Sequence, residues 1–302
     1  MDSRMEIAIA GVTWKNPVTT ASGTFGSGRE YGELIDLNRL GAITVKGVSE
    51  EAWKGNPVPR LAETQSGLLN SIGLQNAGAE YFINHDIPFL RQYDTKIIVN
   101  ICGHTLSQYC AVAEKFADCD IDMLELNISC PNVEEGGLSF GTDPHVVERV
   151  VKAVRHYAKQ PLIVKLSPEV TDITEVARAA VSGGADALSL INTLRGMKID
   201  IHKRRPILAS KIGGYSGPGV MPVALRMVYE VCHSVDVPVI GMGGISTFED
   251  ALQFIMAGAQ AVAVGTANFH NPYASVEIID GIRQYMKENR IPSLEEIRGC
   301  ID

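Results

Sequence analysis

A cysteine flanked by two asparagines stands in the segment NISCPN, residues 127–132. The segment follows the apolar run DMLEL and leads into the glycine-containing stretch VEEGG, so Cys130 is expected in a polar loop directly after a strand. Core packing explains a cysteine in such a loop poorly. A free thiol has a pKa of about 8.5, so its thiolate could act as a base if it were held over a substrate carbon and shielded from water. The alternative role is a nucleophile, although no histidine lies nearby in the sequence to activate it.

Two lysines stand at the ends of apolar, β-branched runs. Lys46 follows AITV and Lys165 follows LIV. Their aliphatic stems begin in the core, where an ammonium group without an anion is costly. Snorkelling of the side chains to the surface is one explanation. Both lysines lie at the carboxyl ends of predicted strands and therefore at the same end of the predicted sheet. We favour the interpretation that both face an anionic or electron-rich ligand there.

Most other strand ends in the sequence carry a polar residue or glycine. They are Ser22, Asn100, Asn127, Asn192, Gly243, Gly244, Gly265 and Thr266. A single asparagine is more often a turn former than a ligand, but lysine or asparagine at several ends of one sheet favours a site. Glycines let backbone N–H groups approach a phosphate, and a following helix adds its positive dipole. The segments GMGGIS and VGTANF therefore predict a ligand with a phosphate group, such as FMN or a phosphosugar, and GGYSGPG is expected to close over it.

Eight short apolar runs, each followed by a helical pattern, supply the strands that must position these residues. The runs are PVTTAS, AITVKG, KIIVNI, DMLELN, PLIVKL, ALSLIN, VPVIGM and AVAVGT. They are continuous rather than alternating, as a parallel sheet covered on both faces requires. Eight β-α units predict an α/β protein with a (β/α)8 TIM barrel, whose active site lies at the carboxyl ends of the strands.

Two connections, 48–95 and 193–221, are too long for simple turns and predict functional insertions at the C-terminal face of the barrel. The first residues, MEIAIAGVTWKN, predict a hairpin at the bottom of the barrel. No linker, low-complexity segment or repeat interrupts the chain. We therefore expect a single barrel domain over residues 1–302, and the family resemblance given below implies that it binds FMN.

Composition excludes several classes of protein. The 302 residues carry a formal net charge of -8, which disfavours a nucleic-acid partner because phosphate neutralisation needs clustered lysine and arginine. No apolar run approaches membrane-spanning length, and the start of the sequence lacks the pattern of a signal peptide. These features predict a cytoplasmic protein that does not bind membranes.

Several of these segments together resemble the dihydroorotate dehydrogenases, and within them class 1B, the catalytic subunit of the NAD-linked enzyme. The resemblance spans nearly the whole chain, and its most specific parts are NISCPN and LLNSIGLQN. The glycine motifs alone fit many flavin barrels. The resemblance implies oxidation of dihydroorotate to orotate in pyrimidine biosynthesis. Class 2 enzymes use a serine base and a membrane-associating N-terminal extension, and neither is seen here.

Matched position by position, the resemblance implies that Cys130 is the base that removes the proton from C5 of dihydroorotate while a hydride leaves C6 for FMN. Positions that match substrate contacts are Lys46, Asn70, Ser71, Ile72, Gly73, Leu74, Asn127, Asn132, Asn192 and Thr193. Positions that match FMN contacts are Ser22, Lys46, Gly47, Asn100, Asn127, Lys165, Ile191, Gly217, Gly243, Gly244, Gly265 and Thr266. Asparagine amides suit a cyclic imide, and a positive Lys46 suits both a carboxylate and a reduced flavin. No metal site is expected.

The resemblance also implies partners. A class 1B enzyme passes electrons to NAD through a second subunit that carries FAD and an iron-sulfur cluster. The six cysteines form no CxxC pair and offer no spacing for a cluster, so we expect it on a separate protein. The implied assembly is a heterotetramer built on a homodimer of the catalytic chain.

Other functions stay open at this point. A dihydropyrimidine dehydrogenase module shares the barrel, FMN and a loop cysteine, but its uracil or thymine substrates lack a carboxylate. A flavin-free phosphosugar isomerase or lyase would use Lys165 as a Schiff-base or acid-base group. A noncatalytic binding protein is disfavoured by the polar ring at the barrel mouth.

Overall fold

The computed structural model describes residues 3–129, 131–132 and 138–301. The strands of these residues are β1 Ile7–Ile9, β2 Val12–Trp14, β3 Val18–Thr20, β4 Ala42–Thr44, β5 Leu61–Thr64, β6 Gly67–Asn70, β7 Lys96–Ile101, β8 Met123–Asn127, β9 Pro131–Asn132, β10 Leu138–Ser139, β11 Leu162–Lys165, β12 Ala187–Leu190, β13 Leu194–Met197, β14 Ile199–Asp200, β15 Arg205–Pro206, β16 Ile212–Ser216, β17 Val239–Met242 and β18 Ala261–Val264. The α-helices are α1 Arg29–Gly32, α2 Ala79–Tyr81, α3 Ile87–Leu90, α4 Leu106–Phe116, α5 Pro144–Tyr157, α6 Ile173–Ser182, α7 Met221–Cys232, α8 Phe248–Met256, α9 Ala267–His270 and α10 Ala274–Glu288. A π-helical segment, Phe82–Asp86, joins α2 to α3, and short 3-10 turns lie at Ser3–Met5, Leu37–Arg39, Pro218–Val220 and Leu294–Glu296.

Eight parallel strands form the central sheet, in the order β3-β18-β17-β12-β11-β8-β7-β4. Side chains help to close the ring between its first and last strands. The Thr44 backbone N–H donates to Thr20 Oγ1 over 3.1 Å, and Thr20 Oγ1 donates to the Thr44 carbonyl over 3.2 Å. With helices between the strands, this is the predicted (β/α)8 barrel.

The barrel strands consist of buried residues almost throughout, because each is covered by helices outside and by packed side chains inside. The helices α4, α5, α6 and α8 are amphipathic and begin at side-chain caps. Asp143 accepts hydrogen bonds from the backbone of His145 and Val146 at the start of α5, and Asp172 caps α6 in the same way. Both helices were expected from their apolar spacing.

The N-terminal hairpin is present as β1 and β2, which pair antiparallel with Ile7 opposite Trp14. Trp14 is fully buried. The next residue, Lys15, donates from Nζ to Asp94 Oδ2 over 2.7 Å, just before β7 begins. This contact places the hairpin at the amino ends of the strands, opposite the expected active site.

The two long connections meet in one antiparallel sheet of four strands, in the order β13-β16-β6-β5. Gly214 of β16 pairs with Asn70 of β6, so segments far apart in the sequence are joined at this edge. The sheet stands over the carboxyl ends of the barrel strands. No helix in the described part of the chain is both long and apolar enough to cross a membrane.

Candidate active site

A cleft of about 480 Å³ opens at the carboxyl ends of the barrel strands. Its size is typical of small-molecule and cofactor sites. Residues from barrel strands, strand ends and the four-stranded sheet line it together. The predicted site residues that line it are Ser22, Lys46, Gly47, Asn70, Ile72, Leu74, Asn100, Asn127, Lys165, Ile191, Asn192, Thr193, Gly217, Gly243, Gly244, Gly265 and Thr266.

Two residues of the predicted run 70–74 do not reach the lining of this cleft. Ser71 directly follows β6, and its Oγ lies 2.6 Å from the Oγ of Ser210. Gly73 forms a turn with φ 72°, and a Cβ atom there would lie 2.6 Å from Asn56 Cγ. The structure therefore divides the run: Asn70, Ile72 and Leu74 reach the cleft, and Ser71 and Gly73 shape the turn that carries them.

The predicted base, Cys130, lies outside the residues that the structure describes. Its neighbours bracket its place in the chain. Asn127 and Ser129, which precede it, line the cleft. Asn132 belongs to β9, which pairs with β10, and its side chain is outside the description as well.

The two predicted lysines lie at the cleft. Lys165 is only 4% exposed, and its Nζ donates to Ser22 Oγ over 3.3 Å. Lys46 Nζ lies beside Gly23, 3.4 Å from the position that a Cβ atom on Gly23 would take. A buried ammonium group needs an anion or a strong acceptor, so Lys165 favours a ligand rich in oxygen or negative charge.

A chain of amide and hydroxyl groups links the ends of β8 and β12. Asn192 Nδ2 donates to Ser129 Oγ over 2.9 Å and lies 3.5 Å from Asn127 Oδ1. Asn192 Oδ1 in turn accepts from the backbone N–H of Thr193 over 2.8 Å. Tyr109 holds the backbone below, since its hydroxyl donates to the Asn127 carbonyl over 2.5 Å. This network orients planar amides along one wall, where they can match a ring that carries both donors and acceptors.

Asn100, at the carboxyl end of β7, is fully buried. Its Nδ2 donates to Glu125 Oε1 over 2.6 Å, while its Oδ1 has no hydrogen-bond partner among the described residues. A Cβ atom on Gly47, another residue of the cleft lining, would lie 2.9 Å from that oxygen. A buried carbonyl oxygen without a partner is costly, so this oxygen is a natural acceptor for a ligand.

A glycine-built rim forms the far end of the cleft. Gly243 and Gly244 have φ values of 130° and 79°, which few other residues adopt. Cβ atoms there would lie 2.6 Å from Ala224 Cβ and 2.7 Å from Met221 Cβ, so only glycine lets the loop after β17 pack against the start of α7. A helix N-terminus beside glycine backbone is a suitable site for phosphate.

Further residues of the lining were missed by the sequence reasoning. Ser129 and Ser216 are polar members, and Ser216 Oγ accepts from Thr266 Oγ1 over 2.7 Å. Both serines lie inside the quoted motifs NISCPN and GGYSGPG, which could have pointed to them. Met242 and Phe269 also line the cleft. Apolar residues of this kind carry no distinguishing signal in a sequence whose core is equally apolar.

The fold and the cleft together are those of a (β/α)8 barrel enzyme with a small-molecule site lined by lysine, asparagine and glycine residues at the carboxyl ends of the strands. The sequence profile described as dihydroorotate dehydrogenase matches residues 4–286. The chain is 66% identical to "Dihydroorotate dehydrogenase B (NAD(+)), catalytic subunit" of Alkaliphilus metalliredigens over 98% of both chains. Proteins of the same name from Lachnoclostridium phytofermentans and Geotalea uraniireducens are 61% and 53% identical over the same share. The chain belongs to the dihydroorotate dehydrogenase family, which confirms the resemblance found in its motifs.

Proposed function

We propose that this chain is the catalytic subunit of an NAD-linked dihydroorotate dehydrogenase and oxidises dihydroorotate to orotate in pyrimidine biosynthesis. The proposal depends mainly on sequence similarity: the chain is 66% identical, over 98% of both chains, to a protein of that name. The cleft supports it independently, because it gathers lysines, amides and a glycine rim at the carboxyl ends of the strands.

We further infer that the cleft holds FMN. Three features of the chain fit this group: the unpartnered Asn100 Oδ1, the buried Lys165 ammonium, and the glycine rim at Gly243 and Gly244 beside α7. The first two would face the ring system, and the rim would bind the phosphate. When bound, FMN supplies an acceptor for the hydride that leaves the substrate.

We propose that the wall of the cleft formed by the Asn127 and Asn192 amides holds the substrate ring. Asn127 and Asn192 can pair with the ring carbonyl and N–H groups, and Asn70 approaches from the four-stranded sheet. Lys46 is the proposed partner of the substrate carboxylate, which separates dihydroorotate from uncharged dihydropyrimidines. Asn132 remains a proposed further contact.

Cys130 is the proposed base that takes the proton from C5. Its neighbours on the chain, Asn127 and Ser129, line the cleft, so the loop that carries it begins at the site. The thiolate needs shielding from water to compete as a base at neutral pH. Ser129, which accepts from Asn192, fixes the start of that loop.

Substituting the proposed base tests this mechanism. We expect Cys130→Ser to retain FMN and orotate binding but to slow flavin reduction by dihydroorotate about 10²- to 10⁴-fold near neutral pH, because a hydroxyl is a poorer base. Anaerobic stopped-flow absorbance measures this rate. The exposed Cys300 offers the matched control, since Cys300→Ser removes a thiol far along the chain from the site. Equal reduction rates in wild type and Cys130→Ser would contradict the assignment.

A separate electron-transfer subunit is also proposed, because the relatives are named catalytic subunits. The family resemblance indicates that this partner carries FAD and an iron-sulfur cluster and that the complex is a heterotetramer around a catalytic homodimer. We therefore expect the isolated chain to reduce NAD very slowly with dihydroorotate until the partner is added. Rapid NAD reduction by the single purified chain would refute the proposed division of labour.

A further inference from the structure

A carboxylate lies inside the barrel, behind the cleft. Glu125, in the middle of β8, is only 2% exposed. Its Oε1 accepts from Asn100 Nδ2 over 2.6 Å and its Oε2 accepts from Ser189 Oγ over 2.8 Å. A carboxylate in such a place loses its hydration, and these two hydrogen bonds offset part of that cost. A packed apolar side chain would fill the barrel without this cost. The presence of a hydrogen-bond acceptor at position 125 therefore indicates a specific role.

The carboxylate determines which way the Asn100 amide points. Glu125 Oε1 accepts from Asn100 Nδ2, so the amide turns its NH₂ group toward Glu125. The amide oxygen then faces Gly47 on the cleft, where it has no partner among the described residues. The reverse orientation would bring the Asn100 and Glu125 oxygens together and lose this hydrogen bond, which is costly for buried groups.

We infer that Glu125 is a positioning residue that holds the Asn100 oxygen toward the cleft and so makes the site select a ligand with an N–H donor at that point. This inference rests on the proposed function, since the oxidised flavin ring carries a single N–H donor, on its imide. Asn100 belongs to the cleft lining of the described chain and Glu125 does not, so Glu125 acts through Asn100 rather than by touching the ligand.

A double-mutant cycle on FMN affinity tests the inference. Apoprotein is titrated with FMN and binding is followed by quenching of flavin fluorescence, with circular dichroism as the check of folding. We expect Glu125→Leu to weaken FMN binding about tenfold, because the amide loses its fixed orientation and a buried hydrogen bond. In an Asn100→Ala background the same substitution should have no further effect, since there is no amide left to orient.

Ser189→Ala is the matched control. It removes the other hydrogen bond of Glu125 and leaves the pair with Asn100 in place. FMN affinity should stay within about twofold of wild type.

Glu125→Gln provides the second variant, because it keeps the volume and both hydrogen-bonding positions of the side chain. An amide at position 125 can pair with Asn100 in either orientation, so it no longer fixes where the Asn100 oxygen points. We expect FMN binding to weaken about threefold or more, and the same substitution in the Asn100→Ala background should have no further effect.

The results separate this inference from the function it rests on. A Glu125→Leu protein that folds and binds FMN like wild type would overturn the inference, as would a loss that persists unchanged in the Asn100→Ala background. A folded Glu125→Gln protein that binds FMN like wild type would also overturn it, and this variant is decisive if Glu125→Leu does not fold. A wild-type chain that binds no FMN would instead overturn the proposed cofactor.

Discussion

Gly47 lies where the chain after β4 passes beside the side chain of Asn100. A Cβ atom there would lie 2.9 Å from Asn100 Oδ1 and 3.4 Å from Leu74 Cδ2. Asn100 is buried and hydrogen-bonded to Glu125, so it has little room to give way. Overpacking of this kind costs about 1–3 kcal/mol, and each 1.4 kcal/mol is about tenfold in affinity. Relief of the clash displaces Asn100, and FMN binding must restore its position at that cost, so we expect Gly47→Ala to weaken FMN binding about 5- to 160-fold.

The assay is again titration of apoprotein with FMN by fluorescence quenching. Gly32→Ala, at the end of α1, is the matched control, because the three atoms nearest to its new methyl group all belong to side chains, the closest being Leu37 Cδ1 at 3.3 Å. FMN affinity should be unchanged in the control. If folded Gly47→Ala bound FMN as tightly as wild type, the Asn100 oxygen would not belong to the cofactor site, and the reasoning would be refuted.

Three further predictions concern charges and thiols. Lys165→Met should weaken FMN binding about 10- to 100-fold in the same titration, because it removes a buried ammonium donor; unchanged affinity would contradict this. The hydrogen bond from Lys15 lowers the pKa of Asp94 below its ordinary value of 3.8. The ion pair therefore stabilises the fold at pH values above 3.8, and this stabilisation is lost as the pH falls through the lowered pKa of the folded state. In urea unfolding, Asp94→Asn should therefore lower the free energy of unfolding by no more than about 1 kcal/mol at neutral pH and should not change it in strong acid. An equal decrease at both pH values would contradict the pairing. Burial raises the pKa of Cys232 to about 12, so its thiol should react slowly. Mass spectrometry should find that iodoacetamide labels the exposed Cys300 well before Cys232. Equal labelling rates would argue against the burial of Cys232.

The barrel could be predicted from the sequence because a parallel strand covered on both faces is a short, continuous apolar run. The run Leu162–Lys165 is buried along its whole length, and its final lysine marks the point where the strand meets the cleft. The same logic found the asparagines at 100, 127 and 192. Residue type and position at a strand end are local properties, and a sequence displays them directly.

The four-stranded sheet over the cleft could not be predicted in the same way. Its strands are short and rich in glycine, as in IGGYS of β16, and their pairing joins segments more than a hundred residues apart. Neither alternation nor a tight turn signals that pairing. The orientation of the Asn100 amide was also out of reach, because it depends on Glu125, a mid-strand residue whose side-chain partners lie on other strands.

The central claim is that the cleft holds a flavin that dihydroorotate reduces. The most direct measurement is the visible absorption spectrum of the purified, FMN-loaded chain, recorded anaerobically before and after addition of dihydroorotate, with dihydrouracil as the comparison substrate. We predict that dihydroorotate bleaches the flavin absorbance and that dihydrouracil leaves it unchanged. A colourless protein that takes up no FMN, or a bound flavin that dihydroorotate does not bleach, would contradict the claim.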